Sequence, residues 1–127
     1  REKLAKANYA LMGGGSPIMP ETLKQAEALE AEIARRVSNV TFKCFPAMRY
    51  WKPFVKDAAK AAEAWGATDA ILLPLYPQMS TATSESSVKD WFDAAARAGI
   101  RVPTRVVCCY PTQAGFIEAA TNLIRGS

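Results

Sequence analysis

Three short stretches carry residue types that can do chemistry together. The first is Gly13-Gly14-Gly15-Ser16-Pro17, the second Met48-Arg49-Tyr50-Trp51, and the third Leu73-Pro74-Leu75-Tyr76-Pro77-Gln78-Met79-Ser80. Glycines let a ligand approach the backbone closely, and the loop amides with the Ser16 hydroxyl can hold a carboxylate or phosphate. Arg49 is the strongest anion ligand by type, because a guanidinium grips a carboxylate in a bidentate way. Tyr50, Trp51 and Tyr76 offer flat faces with polar edges, which suit a large aromatic ligand. Each stretch also has a plainer reading: a helix-to-helix turn, a surface ion pair, ordinary aromatic packing.

Familiar alternatives fail on spacing. The glycine loop lacks the Gly-Lys-Ser/Thr of a phosphate-binding loop. No strand precedes it, so it is not a dinucleotide fingerprint. Asp57, Asp69, Glu85 and Asp90 are scattered and form no pair of facing carboxylates, and Glu118 reads as solvated on the last helix. The three cysteines Cys44, Cys108 and Cys109 are too few for a disulfide scaffold or zinc knuckle. Cys108 and Cys109 are expected on opposite faces of a strand, as reduced thiols in a cytosolic core. A vicinal metal or redox pair is the lesser alternative.

The elements that position these residues follow from periodicity. Residues 1–12 read as a helix with Leu4, Ala7 and Leu11 on one side, which the glycines end. Pro20 can open a second helix whose buried stripe is Leu23, Ala26, Leu29, Ile33 and Val37. Val40, Phe42 and Cys44 alternate as a strand. Pro53 restarts a helix to about Trp65, capped by Gly66. Residues 70–75 form an apolar run, as in a strand covered on both faces. Ser87 and Asp90 suit a capping box for a helix ending near Gly99. Residues 104–110 read as another strand, and Pro111-Thr112 leads into a last helix ending near Gly126.

That order is a helix followed by three strand–helix repeats, which predicts an α/β fold: a three-layer, Rossmann-like lobe with a parallel sheet and helices on both faces. The chain of 127 residues is expected to be a single α/β domain, residues 1–127. A unit that opens on a helix looks incomplete, so a central strand is expected before Arg1. Ligands of parallel sheets bind beyond the carboxyl ends of the strands. Arg49-Tyr50, Tyr76-Pro77-Gln78 and Tyr110-Pro111-Thr112 each follow such an end.

Half the residues are hydrophobic and 22% are charged, so the chain is expected to be globular. No apolar run reaches the roughly 18 residues of a spanning helix. The net charge is +4, and its basic residues are scattered, with Arg35-Arg36 the only adjacent pair. Nucleic acid is not an expected partner.

Taken together, Tyr9, Gly13 to Ile18, Gln25-Ala26, Met48 to Trp51 and Leu73 to Ser80 resemble the ferrochelatase family in order and spacing along nearly the whole chain. The resemblance implies a class II chelatase-like fold of two α/β lobes, with this chain as most of the first, incomplete at both ends. It implies an enzyme of haem biosynthesis that inserts Fe2+ into protoporphyrin IX, with Fe2+ as substrate and no cofactor held by this segment. Coproporphyrin III is the alternative substrate. Sirohydrochlorin is not expected, because the related cobalt and sirohaem chelatases carry histidines early in their chains. The implied porphyrin-binding residues are Tyr9 and Ser16 on a propionate, Arg49, Tyr50 and Tyr76 in the deep pocket, and Gln78, Met79 and Ser80 in the adjoining wall.

Departures from the family pattern also stand out. Met79 occupies a place where many relatives have an aromatic residue, and Ser84-Glu85-Ser86 stands where Thr-Gly-Ser is common. Thr81 replaces the cysteine that follows the serine in animal members, so an iron–sulfur cluster of that type is not expected. The chain contains no histidine. Removing two pyrrole protons calls for a general base near neutral pKa. The resemblance puts that histidine and its partner glutamate beyond Ser127, so this segment is expected to hold no catalytic or metal-ligating residue and to be inactive alone. The expected location is the cytoplasm, with peripheral membrane contact left open by the lipophilic substrate. The competing function is a non-catalytic α/β binding domain for an anionic cofactor. A mis-truncated fragment with unpaired sheet edges is a further alternative.

Overall fold

The computed structural model describes residues 2–11 and 13–126. The chain divides into two compact units, Arg1–Pro46 and Ala47–Ser127.

In the first unit, α1 spans Glu2–Leu11 and α2 spans Ile18–Arg36. Gly13 and Gly14 both take left-handed backbone, at φ 87° and 91°, which side-chain-bearing residues adopt only at a cost. The Gly14 N–H donates to the Tyr9 carbonyl at 2.7 Å, closing α1. Ser16 Oγ accepts from the Ile18 N–H, and the Pro17 carbonyl accepts from the Glu21 N–H as α2 begins. Glu21 at the first turn and Arg35 and Arg36 at the last complement the helix dipole.

The expected stripe of α2 is only partly covered. Ala26, Leu29 and Ile33 are half-buried, whereas Leu23 and Val37 are exposed. On α1, Leu4, Ala7 and Leu11 are all exposed. The segment Val40–Cys44 forms no strand. A strand exists only by pairing, and here the Cys44 N–H is taken by the Glu30 carboxylate of α2 rather than by a neighbouring strand.

The second unit is a β–α–β arrangement with flanking helices. α3 spans Val55–Ala64, β1 Ala70–Leu72, α4 Ser86–Ala98, β2 Thr104–Val106 and α5 Ala114–Arg125. The strands pair in parallel, Ala70 with Thr104, Ile71 with Arg105 and Leu72 with Val106. The α/β class therefore stands, with two strands formed among the described residues where three were expected. Ile71 is exposed, so β1 is not covered on both faces.

Val55 and Ala59 of α3 pack with Trp91 and Ala95 of α4 and with Ile100, and Leu72 and Val102 lie against this core. Trp91 and Ala95 are one turn apart, so a single face of α4 meets both α3 and the strands. The Trp91 indole N–H donates to Thr104 Oγ1 at 3.3 Å, which satisfies a polar group that would otherwise be buried without a partner.

Helix ends follow local chemistry. Gly66, at φ 85°, follows α3, and Gly99, at φ 73°, ends α4. The predicted capping box at Ser87 and Asp90 does not form. A π-helical turn over Thr81–Glu85 runs directly into α4, and Ser80 Oγ caps it by accepting from the Ala82 N–H. The start of the helical path is therefore fixed seven residues before Ser87. Gln113 Oε1 caps α5 by accepting from the Phe116 N–H at 2.9 Å.

Candidate functional site

In the first unit, Tyr9 and Ser16 bracket the glycine loop. Both side chains are exposed. The loop is fixed from both sides, by the Tyr9 carbonyl at Gly14 and by Ser16 Oγ at the start of α2. Its polar groups are therefore presented on a set backbone instead of a free coil.

In the second unit, the loops beyond the carboxyl ends of β1 and β2 come together. The Tyr110 N–H donates to the Pro77 carbonyl at 2.9 Å, and the Tyr110 hydroxyl donates to the Pro74 carbonyl at 3.2 Å. The Tyr110 ring meets Phe116 of α5 edge-on, with centroids 6.0 Å apart. Parallel pairing thus continues as loop-to-loop bonding past the last strand residues. Ser84 is almost fully buried and donates to the Gln78 carbonyl at 3.3 Å, tying the Leu73–Ser80 loop to the π-helical turn. Tyr76, Gln78 and Met79 are left facing solvent, and Ser80 is half-buried.

Arg49 lies in the loop before α3. Met48 and Phe54 pair across that loop as an isolated bridge, with the Met48 N–H donating to the Pro53 carbonyl at 2.8 Å. Arg49 Nη1 lies 3.4 Å from Asp90 Oδ2 on α4, with the two side chains 33% and 34% exposed. Its guanidinium carbon is 5.0 Å from the centre of the Tyr50 ring, within cation–π range. Tyr50 and Trp51 are otherwise open, at 79% and 75% exposed.

A groove of about 520 Å³ runs beside Arg49 between α3 and α4. Its charged lining is Arg49, Lys56, Lys60, Asp90 and Arg97, and Phe54 contributes an aromatic surface. Of the eight residues singled out by sequence, Arg49 alone lines this groove. Asp90, Tyr110 and Ser84 are not among those eight. Asp90 answers Arg49 across 41 positions, and no local spacing signals such a pair. Tyr110-Pro111-Thr112 did carry a signal, because it follows a strand end.

The cysteines differ from expectation. Cys108 and Cys109 are exposed and their Sγ atoms lie 3.0 Å apart. β2 stops at Val106, so strand alternation no longer separates them. The hydrogen bond with the Cys109 thiol, followed by a smaller desolvation effect, pushes the Cys108 thiol above its usual pKa. Burial, followed by the Glu30 carboxylate, pushes Cys44 up. Among the described residues no cluster of His, Cys, Asp and Glu could hold a metal ion, and no helix is long and apolar enough to cross a membrane.

Comparison with known proteins matches the sequence to a family. A family model described as Ferrochelatase matches residues 1–127. The Ferrochelatase of Phenylobacterium zucineum is 54% identical over 125 residues, covering 98% of this chain and 36% of the relative. That of Caulobacter vibrioides is 51% identical over 127 residues, covering 100% and 36%. That of Hyphomonas neptunium is 45% identical over 126 residues, covering 98% and 34%. The chain thus spans about a third of the length of these curated relatives. Matched along its whole length by one family and at this identity, the chain belongs to the ferrochelatase family.

Proposed function

We propose that this chain is the porphyrin-binding part of a ferrochelatase that inserts Fe2+ into protoporphyrin IX. The observation that carries the reading is the family match over residues 1–127. The arrangement of the second unit supports it, since the Leu73–Ser80 loop meets the Tyr110 loop beyond the carboxyl ends of two parallel strands.

A porphyrin dicarboxylate is flat, apolar and anionic at its edge. In the first unit, the Tyr9 hydroxyl and Ser16 are assigned to a propionate. In the second unit, Arg49 and Tyr50 are assigned to the macrocycle's deep end and Tyr76 beside them. Gln78, Met79 and Ser80 form a wall, with the Met79 thioether adaptable against a ring face.

Insertion removes two pyrrole protons and bends the ring so that its nitrogen lone pairs point at the metal. This chain has no histidine to take those protons. Its part is to orient and bend the macrocycle, and the proton acceptor belongs to the parent enzyme. Fe2+ enters as a substrate. The protein is placed in the cytoplasm, with peripheral membrane contact when it receives its lipophilic substrate.

An iron-insertion assay tests the reading. The protein that contains this chain is expected to convert protoporphyrin IX and Fe2+ to protohaem, and the 127-residue chain by itself to leave the rate at that of buffer. Turnover by the chain alone would refute the division of labour.

A further inference from the structure

The groove between α3 and α4 is charged out of proportion to its size. Four cations, Arg49, Lys56, Lys60 and Arg97, face one carboxylate, Asp90, which leaves three positive charges in excess. Asp90 is already engaged by Arg49. Asp93, the other acid on α4, is held by Lys89 at 2.6 Å and feels Arg97 only at longer range, with no ion pair between them. Among the described residues neither Lys56 nor Lys60 forms an ion pair. Lys56 Nζ instead sits 5.9 Å from the centre of the Phe54 ring. Arg49 Nε is buried with no hydrogen-bond partner, an uncommon state for a guanidinium donor.

Like charges gathered along two facing helices repel, and a solvated surface would spread them. The α3 N-terminus at Val55 also borders the groove, with Asp57 in its first turn accepting from the Phe54 N–H at 3.2 Å. A ligand with a single negative charge would leave two cations unanswered. A phosphate monoester carries about 1.5 to 2 negative charges at neutral pH and three acceptor oxygens. Phe54, Val55 and Ala94 supply apolar surface for an organic portion. The volume lies within the range usual for small-molecule sites, about 300 to 1,000 Å³. None of the groove's residues belongs to the Leu73–Ser80 loop.

We propose that the groove between α3 and α4 binds a phosphate ester, with Lys60 and Arg97 as its principal anion contacts. The ester is a phosphomonoester, either soluble or as the headgroup of phosphatidic acid, which share this chemistry. The site shares Arg49 with the porphyrin assignment and uses none of the other residues assigned there.

The test uses the protein that contains this chain and two probes. Phenyl phosphate, followed by calorimetry, represents the soluble ester. Phosphatidylcholine vesicles with and without phosphatidic acid, followed by co-sedimentation, represent the headgroup. At least one probe is expected to bind saturably, phenyl phosphate with Kd below about 1 mM. Lys60→Glu/Arg97→Glu is expected to weaken that binding tenfold or more. Arg101→Glu/Arg125→Glu changes the net charge equally on exposed residues outside the groove and is expected to leave it within twofold. Lys60→Gln/Arg97→Gln, checked for an unchanged unfolding midpoint, repeats the test without added acids.

Binding of phenyl phosphate identifies a soluble ligand, and binding of the anionic vesicles alone identifies a headgroup. Absence of both, or equal weakening in the two charge-reversed variants, would overturn the proposal. Failure of iron insertion bears on the catalytic reading and not on this one.

Discussion

Arg49 Nη1 and Asp90 Oδ2 lie 3.4 Å apart and join the loop before α3 to the middle of α4. The pair fixes the direction of a guanidinium that also lies 5.0 Å from the Tyr50 ring centre. Asp90 thereby sets where one of the proposed porphyrin contacts points. With about a third of each side chain exposed, solvent screening keeps the pair weak in energy. Asp90→Asn is expected to lower stability by about 0.5 to 1 kcal/mol. Urea unfolding would show this as a lower midpoint at unchanged slope, and a double-mutant cycle with Arg49→Gln would show coupling.

Trp91 carries the largest single share of the second unit's core. It packs with Val55, Ala59, Ala95 and Ile100 while its N–H reaches Thr104. Trp91→Ala removes the ring and leaves a cavity, at a cost of about 3 to 5 kcal/mol. Trp91→Phe keeps most of the apolar volume and loses the hydrogen bond to Thr104, at a cost of about 1 to 2 kcal/mol. Chemical denaturation of the two variants should rank them in that order.

Gly99 ends α4 at φ 73°, and an added Cβ would meet nothing within 4 Å. The cost of Gly99→Ala is therefore one of backbone conformation alone, about 1 to 2 kcal/mol. Thermal unfolding should show the drop, and Gly15→Ala, at a glycine with ordinary φ and open space, should show much less.

Glu32 accepts from Arg35 and Arg36 on α2, which holds its carboxyl near pKa 2, below its usual 4.5. A depressed pKa means that the folded form binds the proton less readily than the unfolded one. The support it gives α2 is complete above about pH 4.5 and is lost as pH falls toward 2. Helicity followed by circular dichroism should decline across that window, and Glu32→Gln should flatten the decline. The group is fully exposed, so added salt should flatten it as well.

Turn chemistry was the most legible part of the sequence. Gly13, Gly14, Gly66 and Gly99 all take the left-handed backbone that their places between periodic runs implied. The α3 and α5 boundaries followed from Pro53 and Gly66, and from Pro111 and Gly126, to within a few residues. Strand length was less legible. An apolar run such as Ala70 to Leu75 records what can be buried, whereas a strand lasts only as long as its neighbour bonds it, here to Leu72. Val40 to Cys44 has the alternation of a strand and, among the described residues, no strand to pair with. The Arg49–Asp90 pair and the Lys60–Arg97 groove were beyond reach, because both depend on how α3 and α4 approach each other. Cys108 and Cys109 were misplaced for a related reason, since their faces were inferred from a strand that stops at Val106.

The most direct test of the porphyrin reading is an absorbance and fluorescence titration of the chain with protoporphyrin IX beside an Arg49→Ala/Tyr76→Ala variant. The account predicts saturable binding that weakens at least tenfold in the variant. Binding of equal strength in both, or no binding by the chain, would contradict the assignment of Arg49 and Tyr76 to a preformed porphyrin wall.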